Sequence, residues 1–436
     1  GYLWFKVFIP QTTMALLSTG VDYIISAIFT DQAGKVMRCW WSFQMEPTPL
    51  SHFFFVDNSG VNGTGTFSSP FNNFGEPGWL VEGNAASSAG KICVVKQGNS
   101  QTPGSEYQRN LTTGTIFPQA TEAPVAIINI PGEQPVIDLN SAVALAGALG
   151  GALPEDDIFI YGIKAINGWD TLIGGVGNNG RGAFFSCFNN SAKRLTISHC
   201  EFDTVSSWVT VSNFNNGALT FDSGNALREH IVLADLTFSG AVGATTNNVG
   251  GAIMYMGGQK SLIDNITVSN WGTGSGVELM VHIKKHSDHL TVRRVTAIDN
   301  VTWQTSGYGV RLSDDVALPP FTFDSVEVCY CVFDAPDPIN LRYLACIGLA
   351  GATGPIYLYR NSGMRGGFHC NMDATIELDA NDHIDANNIN PIATGLTITT
   401  DYVTVIGDYQ TSTQLLTNTY LTSQSLERSE VGHEIL

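Results

Sequence analysis

Two interleaved series of short apolar segments constrain the fold of this chain more than any other feature of its sequence. One series begins at residues 158, 195, 231, 262, 290 and 326, and the other begins at residues 183, 218, 252, 278, 308 and 346. A single unit of this length cannot bury its own apolar face, so successive units are expected to stack on one another. The repeats therefore predict an all-β solenoid in which each coil contributes one strand to each series.

Other β-rich architectures fit this pattern less well. The strands follow one another without the helices that a βαβ sheet requires, and a propeller blade needs four strands per repeat. Only 14% of the residues are charged and 46 are glycine, a composition that favours strands joined by many turns. Apolar residues alternate within each strand, so Leu290 and Val292 are expected to face inward and the residues between them to face solvent.

The beginning of the chain differs from the repeats. Residues 21–30 and 36–43 alternate around a Gly-containing turn, which predicts a hairpin within a small β-sandwich-like segment. An N-terminal extension packed on the main domain is the alternative. The expected division is residues 1–50 as a β-sandwich-like segment or linker module, 51–410 as the β-helix, and 411–436 as a C-terminal tail or a segment for capping or association.

The charge of the chain restricts its partners. The net charge is −18, and an acidic surface repels the phosphates of nucleic acids and of anionic membranes. No apolar run reaches the roughly 20 residues that span a membrane, so membrane insertion is not expected either. Sequons at Asn110, Asn265 and Asn300 predict a glycoprotein.

Residues 54–71 combine an extended segment, a turn rich in Gly and Asn, and the pair Pro70-Phe71. This stretch resembles the opening of pectin-lyase-like proteins, and residues 90–98 resemble their first coil. The resemblance covers roughly residues 53 to 400 and implies a right-handed parallel β-helix. It implies the fold more specifically than the activity, because one scaffold hosts several chemistries.

Residues 278–289 and 309–313 resemble the catalytic coils of polysaccharide lyase family 6, the alginate lyase and chondroitinase B type. The resemblance implies that Lys284 or Lys285 is the general base and Arg311 the general acid. It also implies that Glu278 is a ligand of calcium, although residues 250–256 of the preceding coil lack the second acidic ligand of the family.

Strand alternation places the same residues together without the resemblance. Val281 and Ile283 are expected to face inward, which directs His282 and Lys284 outward, and Arg311 is expected to face outward from the next coil. Stacked strands lie about 4.8 Å apart, so Lys284 and Arg311 could converge on one ligand. Their basic side chains offer a base and a cation for β-elimination on a uronic acid.

Further basic and aromatic residues near these coils are candidates for substrate binding. A basic region on an acidic protein favours anion binding, but a solvated basic face, a binding patch without turnover and simple salt bridges are alternatives. A row of Trp169, Trp208, Trp271 and Trp303 could stack on sugar rings or could pack in the core. The candidates are Arg293, Arg294, His286, His289, Tyr255, Trp271 and Trp303.

The sequence therefore predicts an extracellular enzyme, on the cell or virion surface or secreted, that cleaves an acidic polysaccharide as a lyase. A glycan-binding structural protein without turnover, such as a viral tailspike or fibre, is the first alternative, and it would be consistent with a homotrimer. A β-helix glycoside hydrolase is the second, with carboxylates at Asp203, Asp222, Asp314 and Asp315 as acid and base.

Overall fold

The computed structural model describes a chain of strands and turns, and no helix occurs among the residues it describes. Consequently no helix in that part of the chain is long and apolar enough to cross a membrane. The described residues are 18, 21–30, 36–44, 53–72, 92–108, 125–138, 158–167, 184–188, 193–204, 208–209, 217–222, 229–240, 248–249, 251–270, 277–298, 306–313, 323–334, 341–347, 356–359, 361, 368–371, 376–379 and 398–399.

The chain divides into two compact units, of which the smaller is Leu3–Phe53 and the larger is Phe54–Leu436 together with Gly1–Tyr2. In the smaller unit, β1 (Asp22–Thr30) and β2 (Val36–Gln44) pair antiparallel, with Thr30 opposite Val36. The predicted hairpin is confirmed. Apart from Ser18, Val21 and Phe53, these two strands are the described part of this unit, and the β-sandwich stays a prediction.

The larger unit is a parallel β-solenoid, which confirms the predicted β-helix. Its strands form one sheet that wraps around three sides of each coil, here called faces A, B and C. Two long strands, β17 (Gly251–Ser269) and β18 (Val277–Ile298), run over all three faces, and β15 (Glu229–Ser239) runs over faces B and C. The coils that contain β17 and β18 therefore stack on each other on all three faces.

The remaining strands follow this division. Face A contains β10 (Phe185–Phe188), β14 (Gly217–Asp222), β19 (Ser306–Ser313), β23 (Leu341–Ile347) and β25 (Phe368–Asn371). Face B contains β4 (Ile92–Val95), β6 (Val125–Asn129), β8 (Ile158–Tyr161), β11 (Lys193–Ser198), β20 (Phe323–Asp324), β21 (Val326–Cys329), β24 (Ile356–Tyr359), β26 (Ile376–Asp379) and β27 (Ile398–Thr399). Face C contains β5 (Tyr107–Gln108), β7 (Val136–Asp138), β9 (Lys164–Ile166), β12 (Glu201–Asp203) and β22 (Val332–Asp334). The same sheet includes β3 (Phe53–Val56), next to β4, and a separate antiparallel pair is formed by β13 (Trp208–Val209) and β16 (Asn248–Val249).

Residues with positive φ form the corners between the faces. Their φ angles lie between 50° and 73°, the left-handed region that most side chains avoid. A single residue in this conformation redirects the chain while the strands on both sides keep their pairing. The first corner, between faces A and B, contains Arg194, His230, Lys260, His289 and Ser325; the second, between B and C, contains Gly162, His199, Asp235, Asn265, Arg294 and Tyr330; the third, after face C, contains Asn167, Thr204, Gly240 and Asn270.

The core consists of columns of equivalent apolar residues. On face B, Ile197 stacks in register on Ile160 and Leu233, and all three side chains are buried. On face C, the rings of Phe202 and Phe238 stack with centroids 4.8 Å apart. The predicted inward-facing alternation is thus confirmed, because these columns consist of the alternate residues of each strand.

One repeat is shifted by a residue from its predicted position. On the following rung, Leu290 pairs with Ser261 and not with Leu262. On the preceding rung, Leu262 pairs with Val232, which places Ser261 opposite Ile231. The strand alternates from Ser261 through Ile263, which places the side chain of Leu262 on the outer side. The buried serine hydroxyl accepts a hydrogen bond from the Ile231 backbone N–H at 3.2 Å, which compensates for its polarity.

Truncation inside a column should destabilise the solenoid far more than truncation beside it. Ile197→Ala leaves a cavity between Ile160 and Leu233 and should lower the free energy of unfolding by about 2–5 kcal/mol, as measured by denaturant titration. Thr196→Ala, one residue earlier on the outer side, should change it by less than about 0.5 kcal/mol. Equal effects of the two substitutions would contradict this assignment of the core.

Candidate functional site

Three of the predicted catalytic residues, His282, Lys284 and Arg311, lie on neighbouring strands of face A. His282 of β18 pairs in register with Arg311 of β19, and Lys284 pairs with Ser313. Lys284 therefore lies one rung and two residues from Arg311, roughly 4.8 Å across the sheet and 6.6 Å along the strand. The prediction that Lys284 and Arg311 stand on neighbouring rungs of one face is confirmed, and the residue directly beside Arg311 is His282.

The exposure of this pair differs from the prediction. Val281, Ile283, Val310 and Leu312 are buried on the inner side, so strand alternation directs the side chains between them outward. Nevertheless His282 is 0% exposed and Arg311 is 8% exposed. The expectation that both face open solvent is wrong, because both side chains are covered.

Lys285 and His286 occupy an irregular point of β18. Met256 pairs with Lys284, but Gly258 pairs with Ser287, so β18 contains one more residue than β17 between these pairs. Such a bulge bends a strand and changes the direction of its side chains. The bulge lies just before the first corner, and it separates Lys285 and His286 from the regular part of face A.

Glu278, the predicted calcium ligand, lies in β18 on face A. Glu278 pairs with Gly307 of β19, which in turn pairs with Leu341 of β23, so the next two rungs bring no carboxylate beside it. Among the described residues, no group of three His, Cys, Asp or Glu side chains is placed to hold a metal ion. Calcium binding through Glu278 therefore stays a prediction from the resemblance.

The arginines predicted to bind substrate lie on a different face and share one carboxylate. Arg293 donates a hydrogen bond to Asp264 at 2.8 Å, and Arg294 donates two at 2.6 and 2.7 Å. Burial alone would raise the pKa of Asp264, which is only 5% exposed, but the two guanidinium groups outweigh it and hold that pKa below its usual value. The same hydrogen bonds raise the pKa of Arg294. This cluster, on face B and the second corner, is separated from His282 and Arg311 by the first corner.

The other predicted binding residues are dispersed. His289 is a first-corner residue whose Nδ1 lies beside a carboxylate oxygen of Asp288. Tyr255 is 0% exposed on the inner side of face A, so it belongs to the core and does not line a surface site. Trp271 and Trp303 lie outside the described residues, and so does Trp169. The row of tryptophans stays a prediction.

The first corner carries a basic column that was not predicted. Arg194, His230, Lys260 and His289 occupy equivalent positions on successive rungs, hereafter the basic corner. The position before it carries Lys193, Glu229, Gln259 and Asp288 on the same four rungs. Lys260 follows a neutral glutamine, whereas His289 follows the carboxylate that it contacts. The one-residue shift in the Ser261 repeat hid this column, because it removed Lys260 from the alignment.

A Ser–His–Asp group on the second corner also escaped prediction. The Ser198 hydroxyl lies 2.7 Å from Nδ1 of His199, and a carboxylate oxygen of Asp235 lies 3.6 Å from the same nitrogen. A catalytic triad requires the serine and the aspartate on opposite nitrogens of the imidazole. This arrangement therefore does not activate Ser198 as a nucleophile.

Of the four carboxylates considered for a hydrolase, the two that the structure describes, Asp203 and Asp222, lie on different faces. Asp222 ends β14 on face A, in register with Met256, whereas Asp203 ends β12 on face C. Two catalytic carboxylates must flank one glycosidic bond, within about 10 Å of each other. Asp203 and Asp222 lie on different sides of the coil, and Asp314 and Asp315 lie outside the described residues.

Removal of the Asp264 carboxylate should destabilise the protein. In Asp264→Asn, two cationic side chains lose charged hydrogen bonds, and the free energy of unfolding at neutral pH should fall by about 1.5–3 kcal/mol in a denaturant titration. Because the folded pKa is lowered, the contribution of the carboxylate is fully present above its unfolded pKa, about 3.9, and is lost as the pH falls toward the folded value. The variant should thus lose part of the wild-type acid sensitivity below about pH 4. Glu327→Gln on the same face is the matched control, and an equal loss in that variant would contradict the assignment.

The fold is established by the stacking of the strands themselves. Comparison of the chain with family models, with curated proteins and with solved structures finds no match. The parallel β-solenoid agrees with the fold that the resemblance to pectin-lyase-like proteins implies. The chemistry of the chain has to be argued from its own residues.

Proposed function

We propose that this protein is an extracellular polysaccharide lyase that cleaves an acidic, uronate-containing glycan on the outer side of face A. The observation that carries the proposal is the register of β18 and β19. It brings His282 directly beside Arg311, with Lys284 two residues further along the same strand as His282. One rung pair thus combines a group that can accept a proton with a permanent cation.

The reaction needs two different contributions from these side chains. A base, Lys284 or His282, removes the proton from C5 of the uronate, and the electron pair forms a double bond between C4 and C5. The bond from C4 to the glycosidic oxygen breaks, and that oxygen takes up a proton. As C5 loses its proton, negative charge grows on the neighbouring carboxylate, where a fixed cation stabilises it most.

The role of Arg311 follows from its side chain. A guanidinium group stays protonated in proteins and presents a planar fork that matches a carboxylate. The general-acid role that the resemblance implies would require it to give up a proton. Binding of the uronate carboxylate is therefore the better-supported role, and the proton for the leaving oxygen can come from the conjugate acid of the base or from water.

Glycan binding without turnover is the second candidate, and the burial of His282 and Arg311 favours it. Because both side chains are buried, a ligand on the surface does not contact them unless the residues that cover them move. The basic corner, by contrast, lies on an edge of the solenoid, and its rungs repeat about every 4.8 Å, close to the length of a sugar unit in an extended chain. A structural protein such as a tailspike or fibre, and assembly as a homotrimer, belong to this candidate.

Lyase activity is tested by the ultraviolet absorbance of the unsaturated product with alginate, pectate or chondroitin sulfate as substrate. Arg311→Ala should lower the rate by about 10²–10³-fold, because it removes the cation that stabilises the developing charge. Arg311→Lys keeps the charge, loses the fork and should retain part of the activity. Lys164→Ala, on face C, should leave the rate unchanged.

Two results would contradict the lyase proposal. The first is an unchanged rate in Arg311→Ala, and the second is the lack of unsaturated product from all three substrates with the wild-type protein. Since Arg311 is buried, each variant is compared with the wild type by thermal unfolding. If Arg311→Ala does not fold, the comparison of Arg311→Lys with the wild type decides the role of the fork.

The basic corner gives a separate prediction for binding. Lys260→Gln removes one partly exposed cation and keeps a polar side chain, and the affinity for alginate at low salt should fall by up to about fivefold in isothermal titration calorimetry. The difference should vanish at high salt, because screening removes the electrostatic contribution of the lysine. Lys164→Gln is the control on face C. Equal affinities of Lys260→Gln and the wild type at low salt would exclude the corner from binding.

A further inference from the structure

The outer side of face B carries two aromatic rings side by side. Phe159 and Tyr161 of β8 are two residues apart, so strand alternation directs both outward. Their ring centroids lie 6.0 Å apart, and the ring planes differ by only 17°. Phe159 is 40% exposed, an unusual state for a phenylalanine on a regular β-sheet. The two nearly parallel rings are stacked and together present an apolar surface, hereafter the aromatic platform.

The register explains why Phe159 is open. Ala126 pairs with it on one neighbouring rung and Thr196 on the other, and both side chains are short. A ring about 4.8 Å from each neighbour therefore stands above them instead of packing beneath them. Phe159 is therefore exposed because Ala126 and Thr196, the residues beside it on the two neighbouring rungs, are too short to cover its ring.

A polar rim borders the platform on the second corner. The imidazole of His199 packs on Tyr161 with ring centroids 4.6 Å apart, and its Nδ1 lies 2.7 Å from the Ser198 hydroxyl. One rung further, Asp235 accepts a hydrogen bond of 2.7 Å from the side-chain amide of Asn265. These contacts hold hydrogen-bonding groups at fixed positions beside the apolar surface.

We propose that the aromatic platform and its rim bind a hexopyranose unit of a neutral glycan. A pyranose ring has an apolar C–H face that can stack on the exposed ring of Phe159, and its hydroxyl groups can hydrogen-bond to the His199–Asp235 rim. The carboxylate of Asp235 disfavours a uronate at this position. A platform of two rings is far smaller than the roughly 800 Å² per partner of a specific protein interface. This site lies on a different face from His282 and Arg311, and it does not depend on the elimination chemistry proposed there.

The test uses isothermal titration calorimetry of the full chain with four neutral polysaccharides: hydroxyethylcellulose, xyloglucan, galactomannan and mixed-linkage β-glucan. The titrations are made in ~1 M NaCl, where the Debye length of about 3 Å suppresses binding to basic surfaces. The wild type should bind at least one of the four. Phe159→Ala should weaken that binding by about three- to tenfold, and Phe159→Tyr should retain it.

Tyr330→Ala provides the matched control. Tyr330 is 46% exposed on the same corner, but it lies four rungs from His199, through Asp235, Asn265 and Arg294. Its loss should leave the affinity unchanged. Lack of binding to all four polysaccharides, or equal affinities of Phe159→Ala and the wild type, would overturn the proposal. Neither result bears on the lyase assay, which uses acidic substrates and face A.

Discussion

The stacking of equivalent residues on successive rungs is the constraint on which the whole solenoid depends. Each strand pairs with the strand one coil earlier and the strand one coil later, so a change of register on one face would shift the inner columns of that face. The left-handed corner residues keep the register while the chain changes direction. The left-handed conformation costs most side chains about 1 kcal/mol each. Most of the corner residues are Asn, Asp, His or Gly, which tolerate this conformation better than other residues do. The columns of the core repay this cost, because each coil buries apolar residues against two neighbours.

Much of this architecture could be predicted from the sequence, because alternation and repeat length are local signals. The inner positions of Ile197 and Leu233, for example, follow from counting residues. The position of Ser261 could not be found that way, since Leu262 is the more apolar residue, and only pairing with both neighbouring coils places the serine inside. The Ser261 hydroxyl accepts a hydrogen bond from the Ile231 backbone N–H, and a hydrophobicity pattern contains no information about such a bond.

The candidate site was predictable in its placement and not in its environment. Strand alternation predicts that His282, Lys284 and Arg311 lie on one side of the sheet. It carries no information on what covers an outer side chain, and both His282 and Arg311 are buried. The arginine pair illustrates the same limit for charge. Arg293 and Arg294 look like a basic patch in the sequence, whereas the preceding coil supplies Asp264, which accepts hydrogen bonds from both. A partner about 30 residues away becomes a direct neighbour in a solenoid of this coil length.

Availability for binding is therefore decided rung by rung. Tyr255 and Phe159 are both aromatic residues in regular strands, yet Tyr255 is fully buried in an inner column and Phe159 is open to solvent between Ala126 and Thr196. The same reasoning separates the cations: Arg294 donates hydrogen bonds to a buried carboxylate, while Lys260 follows a neutral glutamine at the first corner of its coil. Such differences arise from the neighbours on adjacent rungs, so one regular scaffold can offer an apolar platform on one face and a charged pair on another. A long chain ligand that lies along the coils would meet these chemistries at intervals set by the stacking distance.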